Sequence, residues 1–176
     1  MRKLLTIDKR DYDPSWPITT RKAARAIIFK GDKIYLVKSA TENFYKFPGG
    51  GKKRWESIND TLVREVKEEV GLDVIKESIK PYGYTLELRK SKRKENYVFH
   101  HISYYFFCDV KERLSDLKLD DYEKELSYER VLYTLKEAYD VNHAYENDKE
   151  EHEYIIREEA VMKLLLEENK RNEENK

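Results

Sequence analysis

GGKKRWESINDTLVREVKEEVGL, residues 50–72, holds a helix signal and a surplus of carboxylates in one place. Ser57 and Asp60 have the spacing of a capping box, with Asp where Glu is usual. Leu62, Val63, Val66 and Val70 then recur at helical spacing, and Gly71 offers a left-handed C-terminal cap. The pattern predicts a helix over 58–70. On it, Glu65, Glu68 and Glu69 fall within an arc of roughly 100°. The apolar residues occupy a second arc centred about 120° away, and Lys67 and Asp60 point to a third face. The acids therefore lie beside the core face, where the helix meets its neighbours. Like charges three and four residues apart cost a helix a few tenths of a kcal/mol per pair.

Two readings compete for these acids. One is an ordinary solvated face, the reading given to IREEAV (156–161) further along. The other is a cation site. Arg64 is placed to compensate one carboxylate but not three, whereas a hard divalent ion such as Mg²⁺ takes oxygen ligands and shares them with phosphates. The loop Pro48-Gly49-Gly50-Gly51 precedes the helix, and its glycines let backbone approach a ligand closely. Gly49, Gly50 and Gly51 are candidate substrate contacts on that ground.

Working outward, AARAIIFK (23–30) and KIYLVKSA (33–40) read as a hairpin turned at Gly31-Asp32. NFYKF (43–47) reads as a short third strand leading into the glycine loop. The first twenty residues read as an extended lead-in, with Pro14 and Pro17 opposing regular structure. Residues 82–89 read as extended, 89–95 as a basic, solvated hairpin tip, and 97–110 as a central strand buried on both faces. Residues 111–128 read as a polar loop, 130–135 as a strand and 136–142 as a short helix. Residues 150–170 form an amphipathic helix, followed by a frayed tail over 170–176. These expectations give one domain over 1–176, of class α/β or α+β with one mixed sheet.

Composition narrows the function classes. The chain of 176 residues has 35 Lys+Arg against 35 Asp+Glu, so no global field favours nucleic acid or an anionic membrane. Phosphate affinity must come from a local site. The single cysteine, Cys108, has no partner for an internal disulfide. MRKLLTIDKRDYD does not read as a signal peptide, and no apolar run reaches spanning length. The expectation is a cytoplasmic protein. There is no Walker loop and no dinucleotide-binding glycine fingerprint.

Residues 50–72 resemble a complete Nudix box: Gly50, five residues, Glu56, seven residues, Arg64-Glu65-Val66, one residue, Glu68-Glu69, one residue, Gly71-Leu72. Seven of the nine specified positions demand one residue type. At about 7% each, a chance match at a given start is on the order of one in a hundred million, which decides against the solvated-face reading. The resemblance covers about residues 20–145 and implies an α/β/α sandwich around a mixed sheet. It also implies hydrolysis of a pyrophosphate linkage in a nucleoside diphosphate joined to another moiety, with Mg²⁺ or Mn²⁺. Glu65, Glu68 and Glu69 match the metal-ligand positions, Glu65 also the general base, and Glu56 the supporting acid. Arg64 matches the residue that orients these glutamates. A further acid often follows the long strand; Glu125 is the first choice, with Glu123 and Glu129 as competitors. The alternatives are a silent nucleotide sensor or an isoprenoid-diphosphate isomerase; nucleic-acid and membrane partners are not expected, and a homodimer is left open.

Lys53 and Trp55 depart from the residues many members carry there, and Trp55 is expected to pack or to cover substrate. Lys38, Arg21 and Arg25 are candidate phosphate contacts, and Tyr45 and Phe44 candidate base contacts set against core packing. His100 and His101 point to opposite faces of the central strand, one of them toward a cleft or into the core. His143 and His152 lack the spacing of a zinc site.

Overall fold

In a computed structural model the described residues are 1–111, 115–145 and 153–174. Residues 112–114 of the expected loop, 150–152 of the expected helix start (with His152) and 175–176 of the tail lie outside them. The elements in order are β1 (Lys3–Asp8), β2 (Ile18–Ile27), β3 (Phe29–Lys30), β4 (Lys33–Ser39), β5 (Phe44–Lys46), α1 (Ile58–Val70) and β6 (Asp73–Val74). A 3₁₀ turn at Lys76–Ser78 leads to β7 (Lys80–Lys90), β8 (Val98–Phe107), β9 (Val110–Lys111), α2 (Asp121–Glu125), β10 (Tyr128–Thr134), α3 (Leu135–His143) and α4 (Glu153–Glu174).

The fold is mixed α+β, as expected. One sheet has the order β1-β7-β8-β2, with β7 and β8 antiparallel and the outer two strands parallel to their neighbours. A second has the order β10-β4-β3, with β5 also paired to β4. β8 is interior, which explains its apolar residues on both faces. Two buried clusters result. One joins Ala24, Ala26 and Phe106 to Leu62, Val66 and Val70 of α1. The other joins Ile27, Phe47 and Tyr105 to Val161, Met162 and Leu165 of α4.

Helix α1 has the bounds its sequence set. Ser57 Oγ accepts the Asp60 N–H, Asp60 returns the bond to the Ser57 N–H, and Gly71 closes the helix at φ 66°. The glycine loop runs beside β2 as an irregular extra strand. Ala24 N–H donates to Gly50 O at 3.1 Å, Ala26 N–H to Pro48 O at 2.8 Å, and Lys52 N–H to Lys22 O at 2.8 Å. The loop leading into α1 is thereby registered against the first sheet.

Three expectations fail. The lead-in is not irregular: β1 pairs in parallel with β7, and β2 begins at Ile18, because Pro14 and Pro17 lie outside both strands. The segment 111–128 holds α2, capped reciprocally by Asp120 and Glu123. The helix α4 continues through Glu174, past the expected onset of fraying at 170, and its charged residues are not all solvated. Arg157 is 1% exposed and Glu158 0%.

Candidate active site

α1 and the glycine loop bring the box residues together. Gly49 has φ +146°, and a Cβ there would lie 2.0 Å from Ala24 O. A Cβ on Gly50 would lie 2.5 Å from Glu65 Oε1. Glycine is thus required so that the loop can pass between β2 and the Glu65 carboxylate.

The acids are sorted by two cations. Arg64 Nε donates to Glu56 Oε1 at 2.5 Å and Nη2 to Glu56 Oε2 at 3.0 Å. Its Nη1 reaches Glu65 at 2.7 Å and Glu68 at 2.9 Å, and Nη2 also reaches Gly51 O at 3.2 Å. Arg64 therefore touches three carboxylates, Glu56, Glu65 and Glu68, while its single charge compensates one. These hydrogen bonds hold the Glu56 carboxyl down to about 2. Glu69, 1% exposed, belongs to Lys46 instead: Lys46 Nζ lies 2.6 Å from Oε1, and the Gly49 N–H donates to Oε2 at 2.7 Å.

A cavity of about 520 Å³ opens over this arrangement, a size suited to a small-molecule site. Glu65, Glu69, Gly49, Gly50 and Gly51 line it, as do Arg21 and Arg25; Glu56 and Glu68 are joined to it through Arg64. Burial, then the neighbouring Glu69, push the Glu65 carboxyl up.

Glu125, Glu129, Tyr45, Lys38 and Trp55 lie away from the cavity. Glu125 is exposed and does not line the cavity; Glu123, about half a helical turn away on α2, lines it instead. Burial, followed by a hydrogen bond and repulsion from Glu69, pushes Glu123 up to about 7. Glu129 is exposed on β10, opposite Lys38. Tyr45 is core: it packs against Tyr133 at 5.5 Å between ring centroids, and its N–H donates to Asn142 Oδ1 at 2.8 Å. Lys38 lies over Tyr45 rather than in the cavity. Strand alternation puts Lys46, one residue on, toward the acids. Trp55 neither packs nor covers the cavity; it is 83% exposed.

The far wall was not foreseen. Arg157 Nη1 lies 2.6 Å from Glu87 Oε1 and Nη2 lies 2.7 Å from Glu158 Oε1. His101 Nδ1 lies 3.3 Å from the same Glu87 oxygen, so His101 is the histidine on the cavity side. Against the upward push of burial, Arg157 and His101 hold Glu87 down to about 2. Burial, with Arg157 adding to it, holds His101 down to about 4. The sequence signals for this network were a strand histidine facing a cleft and the charges Arg157-Glu158-Glu159 set between apolar residues of α4.

Glu65, Glu69 and Glu123 bring carboxylate oxygens to one cavity, and hard oxygen donors of this kind suit a divalent ion. Among the described residues no three such side chains stand together as a metal site; Arg64 and Lys46 engage the oxygens that would bind it.

A NUDIX domain family model matches residues 19–158. An 8-oxo-dGTP diphosphatase of Buchnera aphidicola is 31% identical over 102 residues, covering 48% of this chain and 76% of that protein. An RNA pyrophosphohydrolase of Campylobacter jejuni is 43% identical over 44 residues, which is 24% of this chain and 28% of that protein, under a third of its length. A NUDIX hydrolase from Nitrosomonas europaea superposes with TM-score 0.55 at 19% identity, covering 74% of this chain and 82% of that one, which shows the shared fold. Nudix hydrolases use divalent metal ions. The chain belongs to the NUDIX domain family and is a Nudix hydrolase, an enzyme that cleaves pyrophosphate bonds.

Proposed function

We propose that this enzyme hydrolyses a nucleoside diphosphate linked to a further group, with Mg²⁺ or Mn²⁺ held by Glu65, Glu68 and Glu69 and supported by Glu56 and Glu123. The observation that carries the reading is the pair Glu65 and Glu69, buried against the glycine loop in a cavity that also presents Arg21 and Arg25. Held there, a divalent ion would neutralise phosphate charge and lower the pKa of a water. Glu65 would take the proton of the attacking water on its carboxylate. The new bond joins that water oxygen to phosphorus, and the bridging oxygen leaves with the departing phosphate. Arg64 keeps Glu56, Glu65 and Glu68 aligned. The backbone of Gly49–Gly51 and the guanidinium groups of Arg21 and Arg25 orient the phosphates.

The unit is the whole chain as one domain, since β1 completes the first sheet and α4 packs on it. A small nucleotide substrate and a cytoplasmic setting complete the reading. No described helix is long and apolar enough to cross a membrane. Release of phosphate or a nucleoside monophosphate from a nucleotide panel with Mg²⁺ or Mn²⁺ tests it. Turnover that requires the ion is expected; binding without turnover across the panel contradicts it.

A further inference from the structure

Strand β5 carries one charged residue, Lys46, and buries it between Tyr45 and Phe47 of the core. Strand alternation sets Phe44 and Lys46 on the side of Tyr128. The Phe44 and Tyr128 rings lie 6.2 Å apart, and Lys46 Nζ lies 4.4 Å from the centre of the Tyr128 ring. The same ammonium ends 2.6 Å from Glu69 Oε1. Ring and carboxylate hold it from two directions, and pairing with β4, Val37 opposite Lys46, fixes the backbone beneath it. A lysine stem usually carries its charge out to water. Here the strand delivers a fixed cation to the carboxylates of α1.

Those carboxylates divide into two ends. At one end Arg64 is bonded to Glu56, Glu65 and Glu68. Glu65 and Glu68 each use a single oxygen in doing so, and the other is unbonded among the described residues. They stand three residues apart on one helix face. At the other end Glu69 has both oxygens engaged, Oε1 by Lys46 and Oε2 by the Gly49 N–H at 2.7 Å. Glu123 stands against it: burial, then Glu69, push the Glu123 carboxyl up to about 7, while Lys46 draws it down. Without the ammonium, Glu69 and Glu123 would face each other as a second pair of hard oxygen donors, the kind of pair that draws a divalent ion.

Charge decides between one ion and two. Glu56, Glu65, Glu68 and Glu69 bring four negative charges, and Arg64 and Lys46 return two. The two that remain match one divalent ion, and Glu123 adds only part of another near neutral pH. A small site suffices for Mg²⁺, which one or two carboxylates hold together with water and substrate phosphate. We propose that Lys46 stands in for a second divalent ion, so that the carboxylates of α1 take a single ion and the ammonium supplies the other fixed positive charge of the site. This rests on the pyrophosphate-cleaving reading of the same site and specifies its ion count. An ammonium does not ionise a bound water as a metal ion does, so activation of water falls to the Glu65–Glu68 end. The rival account makes Lys46 a structural counter-ion of buried Glu69 with no bearing on metal.

The test counts Mn²⁺ bound to the full chain without substrate, by paramagnetic resonance of the free ion and by calorimetry. Wild type is expected to bind one ion. Lys46→Met, which keeps the stem and removes the charge, is expected to bind two, and its melting temperature to rise more steeply with Mn²⁺ than that of wild type. Lys38→Met removes a lysine that lies over Tyr45 outside the cavity, and is expected to bind one. Lys46→Met/Glu69→Gln strands no buried carboxylate and is also expected to bind one. Two ions on wild type overturn the proposal whether or not any variant folds. So does a folded Lys46→Met that binds one, a Lys46→Met that stays unfolded in saturating Mn²⁺, or a Lys38→Met that gains an ion as Lys46→Met does. Ion-dependent turnover by a wild type that binds two ions leaves the hydrolase reading standing and removes this one. One ion on wild type and two on Lys46→Met, with no nucleotide turned over, counts against the hydrolase reading alone; no ion on wild type counts against both.

Discussion

The Glu158 carboxylate accepts the backbone N–H of Phe47 at 2.9 Å, and both residues are fully buried. Phe47 precedes the glycine loop by one residue, so the C-terminal helix holds the entry to the active site from behind. The same carboxylate pairs with Arg157, which in turn grips Glu87 on the sheet. Removing Glu158 strands one N–H and half of a buried cation. Glu158→Ala is expected to lower stability by ~3 kcal/mol, read as a lower urea midpoint at unchanged slope.

The Glu87–His101 pair gives the enzyme an acid limit. An unfolded histidine charges below about 6.5, whereas folded His101 stays neutral down to about 4. Between those values the unfolded chain binds more protons, so stability rises with pH. The contribution is complete above 6.5 and is lost as pH falls toward 4. Glu87, held at about 2 against an ordinary 4.5, continues the loss below that. Glu123, held up to about 7, works in the opposite direction over the same window, so the His101 share is read against a variant: the melting temperature of wild type relative to His101→Gln is expected to fall between pH 7 and 4.5.

Gly49 is the tightest point of the loop. Gly49→Ala forces a Cβ into Ala24 O, at 2.0 Å, from a φ of +146° that side chains rarely adopt. The loop must leave β2, breaking the Gly49 N–H bond to Glu69. The variant is expected to lose activity by more than tenfold, with hydrogen exchange of the Ala24 and Ala26 amides accelerated.

Glu123 and Glu125 separate the geometric choice from the sequence choice. Glu123 shares the cavity with Glu69, and Glu125 is exposed. Glu123→Gln is expected to weaken activation by the divalent ion, raising the ion concentration needed for half-maximal rate. Glu125→Gln is expected to titrate as wild type does. The reverse order would return the role to Glu125.

Which parts were legible follows from the range of each signal. Helix α1 and its caps depend on residues within a few positions, so 58–70 could be read exactly. The box spacing then located Glu65 and Glu69 beside the glycine loop. β1 was missed because KLLTID pairs with β7, about eighty residues away, and no local pattern reports a parallel partner. IREEAV was read as solvated because adjacent charges on a helix usually are; its burial depends on Glu87 and Phe47, both distant in sequence. Tyr45 and Lys46 show a finer limit. The strand was expected, but the choice of which neighbour faces the site rests on a one-residue alternation. Glu123 and Glu125 differ in the same way by half a helical turn.

The central claim is that the α1 carboxylates cleave a phosphoanhydride, with Glu65 receiving the proton of water. The most direct measurement is Mg²⁺-dependent product formation from a nucleoside triphosphate by wild type and Glu65→Gln, with circular dichroism to confirm an intact fold. The account expects cleavage by wild type and a loss of about 10²–10⁴ in kcat for the variant at unchanged structure. A folded Glu65→Gln enzyme within a few-fold of wild type, or a wild type that leaves every phosphoanhydride intact, would contradict it.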